Sequence, residues 1–131
     1  MFKAVVAQGP GGQVIAMDSI TMVVPADAGA VVVSGSHGGA SSGAYALDVP
    51  LKAVFFSDAG IGKDDAGIVA LDMLQAKNVA AGAVSHTSAR IGDAQDIWEC
   101  GVLSRVNAAA LGEGLAPGMK LQDALRRLVA G

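Results

Sequence analysis

The sequence has little charge, few aromatic residues and a single cysteine. Of its 131 residues, 16% are charged and 4% are aromatic, and Cys100 is the only cysteine. One cysteine cannot form an intrachain disulfide, so a small disulfide-stapled scaffold is excluded. An intrinsically disordered chain is also excluded, because such chains combine low hydrophobicity with high net charge, whereas 52% of these residues are hydrophobic.

Long apolar runs and basic clusters are absent as well. No segment approaches the roughly 18 uninterrupted apolar residues that a membrane-spanning helix needs. Lysine and arginine are scattered and the net charge is −3, so nothing indicates the basic surface that binds nucleic acid. The opening Met1-Phe2-Lys3-Ala4 lacks the apolar core of a signal peptide. We therefore expect a cytoplasmic protein that binds neither nucleic acid nor a membrane.

Two regions of the chain differ in pattern. Residues 1–29 contain short β-like runs at 2–7, 13–17 and 20–24, separated by Gly, Pro, Asp and Ser, and this spacing predicts an antiparallel meander. Residues 30–131 alternate apolar runs, glycine-containing loops and segments with helical spacing. The predicted strands are residues 30–33, 52–56 and 79–84. The predicted helices are residues 40–47, one that starts at Asp64 or Asp65, a long one from a cap at Asp93 to residue 109, and residues 119–129.

The alternation of strands and helices predicts a parallel sheet with right-handed crossovers. The strands are apolar throughout, which is typical of strands covered by helices on both faces. We predict one α/β domain over residues 1–131. It is a compact three-layer domain with a small, mainly parallel sheet, to which residues 1–29 add a β-rich antiparallel N-terminal extension.

A polar loop follows each of the three predicted parallel strands. These loops are Ser34-Gly35-Ser36-His37, Ser57-Asp58 and Ser85-His86-Thr87-Ser88. Open α/β sheets bind ligands outside the carboxyl ends of their strands, near a switch in strand order. We therefore predict that His37, Asp58 and His86 converge in one hollow.

Histidine titrates closest to neutral pH, so His37 and His86 are candidate proton-transfer groups and Asp58 a candidate for orienting one imidazole. Lys63 and Arg90 lie in loops of the same kind and could hold an anionic group of a substrate. The candidate catalytic residues are His37, His86 and Asp58. The candidate substrate-binding residues are Ser34, Ser36, Ser57, Lys63, Ser85, Ser88 and Arg90.

Other interpretations of the same residues stay open. The two histidines with a carboxylate could bind a divalent metal, although no local ligand spacing supports this, and no cofactor is expected. Ser36 could be a nucleophile with His86 as its base and Asp58 or Asp93 as the orienting group. Asp93 is also a helix N-cap that could pair with Arg90. The loops could equally be turns alone, since Ser, Asp and Gly are ordinary turn residues.

The sequence favours a small cytoplasmic enzyme that acts on a small anionic metabolite, by isomerase, lyase or hydrolase chemistry. The alternative is a non-catalytic subunit, either ligand-binding or structural, of a homo- or hetero-oligomer. The high apolar content favours a homo-oligomer, formed through the N-terminal meander or through the face that bears Leu111, Leu115 and Met119.

Overall fold

The computed structural model describes residues 1–131. The strands are β1 Lys3–Gly9, β2 Gly12–Met17, β3 Val31–His37, β4 Ala53–Ser57, β5 Ala80–Val84 and β6 Leu103–Val106. The α-helices are α1 Ala40–Leu47, α2 Val69–Gln75, α3 Ala94–Cys100, α4 Ala108–Gly112 and α5 Leu121–Ala130. Short 3-10 turns lie at Ile20–Met22, Pro25–Asp27 and Lys63–Asp65. No helix has the length and apolar character needed to cross a membrane.

The six strands form one sheet in chain order, from β1 at one edge to β6 at the other. Strands β2 to β5 are parallel, while β1 and β6 run antiparallel to their neighbours. The predicted α/β class, with a mainly parallel sheet and an antiparallel N-terminal part, is therefore confirmed. Because the order never reverses, the sheet has no switch point, and the carboxyl ends of β2 to β5 simply share one edge.

Helices cover both faces of the sheet, which explains the continuous apolar strands. Phe56 and Val54 belong to the core that includes residues of α1, α2 and the turn at Ile20–Met22. Phe55 belongs to the opposite core, with Ile97 of α3 and Leu125 of α5. Side chains of a strand alternate between faces, so burial on both sides requires apolar residues at every position.

Three predicted elements are wrong. The helix predicted to start at Asp64 or Asp65 begins at Val69, with Ile68 as its N-cap, because Asp64 and Asp65 adopt left-handed backbone at φ +56° and +58°. Residues 20–24, predicted as a strand, contain the 3-10 turn Ile20–Met22, because the Ser19 hydroxyl accepts the Thr21 amide and starts a turn. The long helix predicted to residue 109 ends at Cys100, where Gly101 is in the extended conformation. A side chain at Gly101 would collide with the Ile97 carbonyl, so glycine is needed for this tight exit. The chain then enters β6, which pairs with β5.

The face predicted for oligomer contact is only partly exposed. Leu111 is 56% exposed, whereas Leu115 is 2% exposed and belongs to the core. Val5 on the edge strand β1 is 50% exposed. A homo-oligomer stays a prediction.

Asn107 ties three elements together inside the molecule. Its Oδ1 accepts the amides of Ala81 on β5 and Ala110 on α4, both at 3.0 Å. Its Nδ2 donates to the carbonyls of Val79, at 2.9 Å, and of Leu71 on α2, at 3.3 Å. A buried amide whose bonds are all made fixes the relative positions of the groups that it joins.

Replacing Asn107 by alanine should lower the free energy of unfolding by about 2–4 kcal/mol, because buried backbone groups lose their partners and α4 loses its cap. Urea denaturation followed by circular dichroism measures this loss. Gln95→Ala on the exposed face of α3 is the control and should change stability by less than about 0.5 kcal/mol. Equal stabilities of the two variants would show that the Asn107 network is unimportant.

Candidate functional site

Four strands deliver polar residues to the carboxyl edge of the sheet. Asp18 follows β2, His37 ends β3, Asp58 follows β4 and His86 lies in the loop after β5. Pairing fixes their order along the edge: His37 lies opposite Ser57 on β4, and Ser57 lies opposite Val84 on β5. The carboxyl edge is therefore the candidate site.

Asp58 and His86 are in direct contact at this edge. Oδ1 of Asp58 lies 3.3 Å from Nδ1 of His86 and accepts the His86 amide at 3.1 Å and the Gly60 amide at 2.8 Å. Oδ2 accepts the hydroxyl of Ser104 on β6 at 2.6 Å. Asp58 is 4% exposed, whereas the His86 side chain is 54% exposed. The contact thus joins a buried, fixed carboxylate to an accessible imidazole.

The surroundings of Asp58 favour its charged form. Burial alone raises the pKa of a carboxyl group, but the Ser104 hydroxyl, the amides of Gly60 and His86 and the His86 ring all stabilise the anion. Together these hydrogen bonds hold the pKa of Asp58 below its ordinary value. Asp58 is therefore an anion at neutral pH, 3.3 Å from Nδ1 of the His86 ring.

The local sequence explains how this pair is held. Asp58 makes a turn in which its own side chain accepts the Gly60 amide, a geometry that aspartate favours. Gly60 has φ +76° and lies beneath the His86 ring, with 3.5 Å between an added Cβ and Cε1. Ala59 and Ile61, at φ +50° and +68°, also adopt left-handed backbone, which non-glycine residues do not favour. The loop is a strained segment next to the pair, as is common at functional sites.

His37 lies in a neighbouring cleft and not with Asp58 and His86. This cleft has a volume of about 400 Å³ and is lined by residues that include Asp18, Ser36, His37, Ser42 and Tyr45. Asp58 and His86 do not line it. The His37 ring makes no hydrogen bond and lies over Gly39, the N-cap residue of α1. The structure thus brings together two of the three predicted catalytic residues.

The five predicted substrate-binding serines build the loops of the site. The hydroxyl groups of Ser34, Ser36 and Ser57 accept the amides of Ser36, Ile20 and Ala59, respectively. Ser85 bonds to Thr87, and Ser88 donates to the Ser85 carbonyl while it accepts the Val102 amide. Each hydroxyl is already bonded within the protein, so these serines position backbone at the edge.

The two predicted cations are on the outside of the loops. Lys63 is exposed in the turn Lys63–Asp65. The Arg90 side chain is 78% exposed, and its Nη1 lies 3.6 Å from Oδ2 of Asp93. Asp93 caps α3 by accepting the Asp96 amide at 3.0 Å, as predicted. Neither Lys63 nor Arg90 lines the cleft.

Asp18 and Ser104 are the site residues that the sequence analysis missed. Asp18 accepts the amides of Phe2 at 2.8 Å and Ala94 at 3.0 Å, and these bonds, strongest from Phe2, lower its pKa. Asp18 could have been found from its position directly after the apolar run 13–17. That run is predicted as part of an antiparallel meander, whereas β2 is parallel to β3 and ends at the same edge. Ser104 was placed in a helix, where no contact with Asp58 could be foreseen.

The residues of the two alternative mechanisms, a metal site and a serine nucleophile, do not lie close enough together to act. No three His, Cys, Asp or Glu side chains gather in a manner that would hold a metal ion, so the set of His37, His86 and a carboxylate is not assembled. Ser36 makes no hydrogen bond to His86: its hydroxyl accepts the Ile20 amide, and it lines the cleft that His86 does not line. The proposed triad with Ser36 as nucleophile is therefore absent.

Comparisons with protein-family models, with curated proteins and with solved structures find no match to this chain. A fold of this class hosts many unrelated activities, so function must be inferred from the residues of the site. The Asp58–His86 pair and the cleft beside it are the features that bear on this inference.

Stability should fall at acidic pH because the folded pKa of Asp58 is lowered. Its stabilisation is complete above the unfolded pKa of about 4 and disappears as the pH falls through the folded value. Urea denaturation between pH 7 and pH 3 should show a steeper decline for the native protein than for Asp58→Asn. The exposed Asp48 provides the control, since Asp48→Asn should keep the native decline. Parallel curves for native protein and Asp58→Asn would contradict this account.

Proposed function

We propose that the protein is a small enzyme in which His86, oriented by Asp58, transfers protons to and from a small anionic substrate. The supporting observation is the 3.3 Å contact between the buried Asp58 carboxylate and Nδ1 of the accessible His86 ring. Substrate would bind at the carboxyl edge of the sheet, where open α/β proteins bind their ligands.

The contact defines what each nitrogen of His86 does. A carboxylate beside Nδ1 accepts the proton on that nitrogen, which leaves Nε2 unprotonated in the neutral ring. Nε2 can then remove a proton from substrate, and the Asp58 charge stabilises the imidazolium that forms. Asp58 itself cannot turn away, because Ser104 and the Gly60 amide hold both of its oxygens. The pair is thus oriented before a substrate arrives.

The chemistry of this pair fits isomerisation, lyase or hydrolysis reactions, which all begin with removal of a proton from carbon, hydroxyl or water. His37 would contact substrate from the side of the cleft. Lys63 and Arg90 are exposed cations near the same edge and would attract an anion as it approaches. A cytoplasmic location and a homo-oligomeric state are part of this proposal.

Ligand binding without turnover is the second candidate function. The observation that favours it is that the cleft is lined by His37 but not by Asp58 or His86. A ligand confined to the cleft would not touch the oriented imidazole. The two candidates therefore differ in whether His86 reaches the bound molecule.

The Nδ1–H tautomer of His86 should be visible by NMR. Long-range ¹H–¹⁵N correlation spectra at a pH where the ring is neutral should show the proton on Nδ1 of His86. In Asp58→Asn the tautomer preference should weaken, because the amide replaces an anionic acceptor. His37, which makes no such contact, is the internal control. An Nε2–H tautomer of His86 in the native protein would rule out the proposed orientation.

Removing the His86 imidazole should abolish most of the activity. The protein is incubated with a panel of small carboxylates and phosphate esters, and NMR detects whether any compound is converted to a product. Turnover of the compound so found should fall by roughly 10²–10⁴-fold in His86→Gln, the usual contribution of a general base. Asp48→Gln, at the exposed C-cap of α1, is the matched control. Turnover that survives His86→Gln contradicts the proposal, and binding without turnover of any compound supports the second candidate.

A further inference from the structure

Helix α1 opens into the cleft without a side-chain cap. Its N-cap residue is Gly39, which has no side chain, and Ser41, Ser42 and Tyr45 of the helix line the cleft. The first amides of a helix have no acceptor within the helix, and they form the positive end of its dipole. In the eight-residue α1 the amides of Ser41 and Ser42 make no hydrogen bond, and both residues line the cleft.

Ser42 supplies an independent indication of a ligand. It is 6% exposed and lines the cleft, yet its hydroxyl has no hydrogen-bond partner. A helical serine commonly donates to the carbonyl four residues earlier, but the Gly38 carbonyl accepts the Ala70 amide at 2.8 Å instead. No fully enclosed side-chain polar atom lacks a partner, so the Ser42 hydroxyl opens on the cleft.

Ser42 is exceptional among the buried polar residues. Each of the others makes at least one side-chain hydrogen bond: Asp27, Ser34, Ser57, Asp58 and Asn107. The Ser42 hydroxyl opens on the cleft without a protein partner, so it is free to donate a hydrogen bond to a ligand that enters.

We propose that the cleft binds an oxyanion, a phosphate or carboxylate group of a small molecule, at the N-terminus of α1. The first-turn amides and the Ser42 hydroxyl donate to its oxygens, and the helix dipole favours its charge. Gly39 is needed because a polar side chain at that position would itself occupy the amides.

Asp18 determines how the ligand lies in the cleft. Asp18 lines the cleft, and its carboxylate already accepts the amides of Phe2 and Ala94. A second anion is repelled there, so the oxyanion lies at the α1 end, and a hydroxyl or amino group of the same molecule suits the Asp18 end. The ligand class is thus a small acid that also has a hydrogen-bond donor.

If the protein is the proposed enzyme, this small acid is its substrate class. The binding of the acid in the cleft does not depend on that proposal. His86 follows β5 and the cleft follows β3, so the two are about two strand spacings, roughly 10 Å, apart. A molecule that reaches both must be extended, with its oxyanion at α1 and its reacting atom at His86.

The test is a titration of the full chain with inorganic phosphate and, separately, acetate, monitored by ¹H–¹⁵N NMR. Amide shifts of Gly39, Ser41 and Ser42 should saturate, and sodium chloride at matched ionic strength should not reproduce them. Ser42→Ala should bind about tenfold more weakly, as expected for loss of one hydrogen bond to a charged group. Saturation by phosphate but not acetate identifies a phosphate ester as the ligand, and the reverse identifies a carboxylic acid.

Gly39→Asp is the second variant. Its carboxylate should cap α1 and exclude the oxyanion, while the fold is retained. The added Cβ comes within 3.0 Å only of the His37 side chain, at 2.6 Å from Nε2, which must rotate aside, and it meets the Ala66 carbonyl at an ordinary 3.7 Å. His86→Gln separates the two proposals, since it should bind phosphate or acetate as the native protein does. The site is ruled out if the amide shifts do not saturate or appear equally with chloride. It is also ruled out if they are unchanged in both Ser42→Ala and Gly39→Asp. These outcomes hold whatever the activity of His86→Gln.

Discussion

The buried charge of Asp58 is the constraint on which the carboxyl edge depends. A carboxylate removed from water is costly unless hydrogen bonds replace its hydration. Here those bonds come from three different parts of the chain: its own loop at Gly60, the loop after β5 at His86, and Ser104 on β6. The need to satisfy one anion therefore fixes the positions of two loops and an edge strand. The His86 ring is oriented as a consequence of that requirement.

Asp18, which follows β2 and is only half-buried, also accepts backbone amides but with a different outcome. Both of its oxygens accept backbone amides, one from the start of β1 and one from the start of α3. No side chain that titrates near neutral pH is bonded to it. Asp18 therefore joins elements, whereas Asp58 joins elements and also holds an imidazole. The two carboxylates thus share backbone hydrogen bonds but differ in burial and in their contact with an imidazole.

Local patterns predicted what local forces decide. Side-chain burial and backbone capping can be recognised directly in the sequence. They correctly predicted the strand before Asp58, the helix over 40–47 and the cap at Asp93. The proximity of Asp58 and His86 followed from the parallel strands that precede them. The separation of His37 was not predictable from the four apolar residues 30–33, because β3 continues through Ser34 and Gly35 to His37.

The missed contacts all depend on pairing between distant segments. The stretch after Gly101 has apolar residues at helical spacing, and only its pairing with β5 makes Leu103–Val106 a strand. Ser104 thus reaches Asp58 through a register that no local pattern encodes. The free hydroxyl of Ser42 also depends on a distant segment. The Gly38 carbonyl, its usual partner within a helix, instead accepts the amide of Ala70 on α2.

The cleft exists although the strand order never reverses. Ligand crevices in open sheets form where successive connections leave for opposite faces. Here the connection after β3 enters α1 on one face, whereas the chain after β5 passes Ile91 and Gly92 on its way to α3 on the other. Both segments wall the cleft, and Gly35 lets them meet, since its carbonyl accepts the Gly92 amide at 2.8 Å and a Cβ there would collide with the Asp18 carbonyl. The crossing of α3 to the second face thus replaces the switch point, and it leaves a cleft two strand spacings away from His86 of the Asp58–His86 pair.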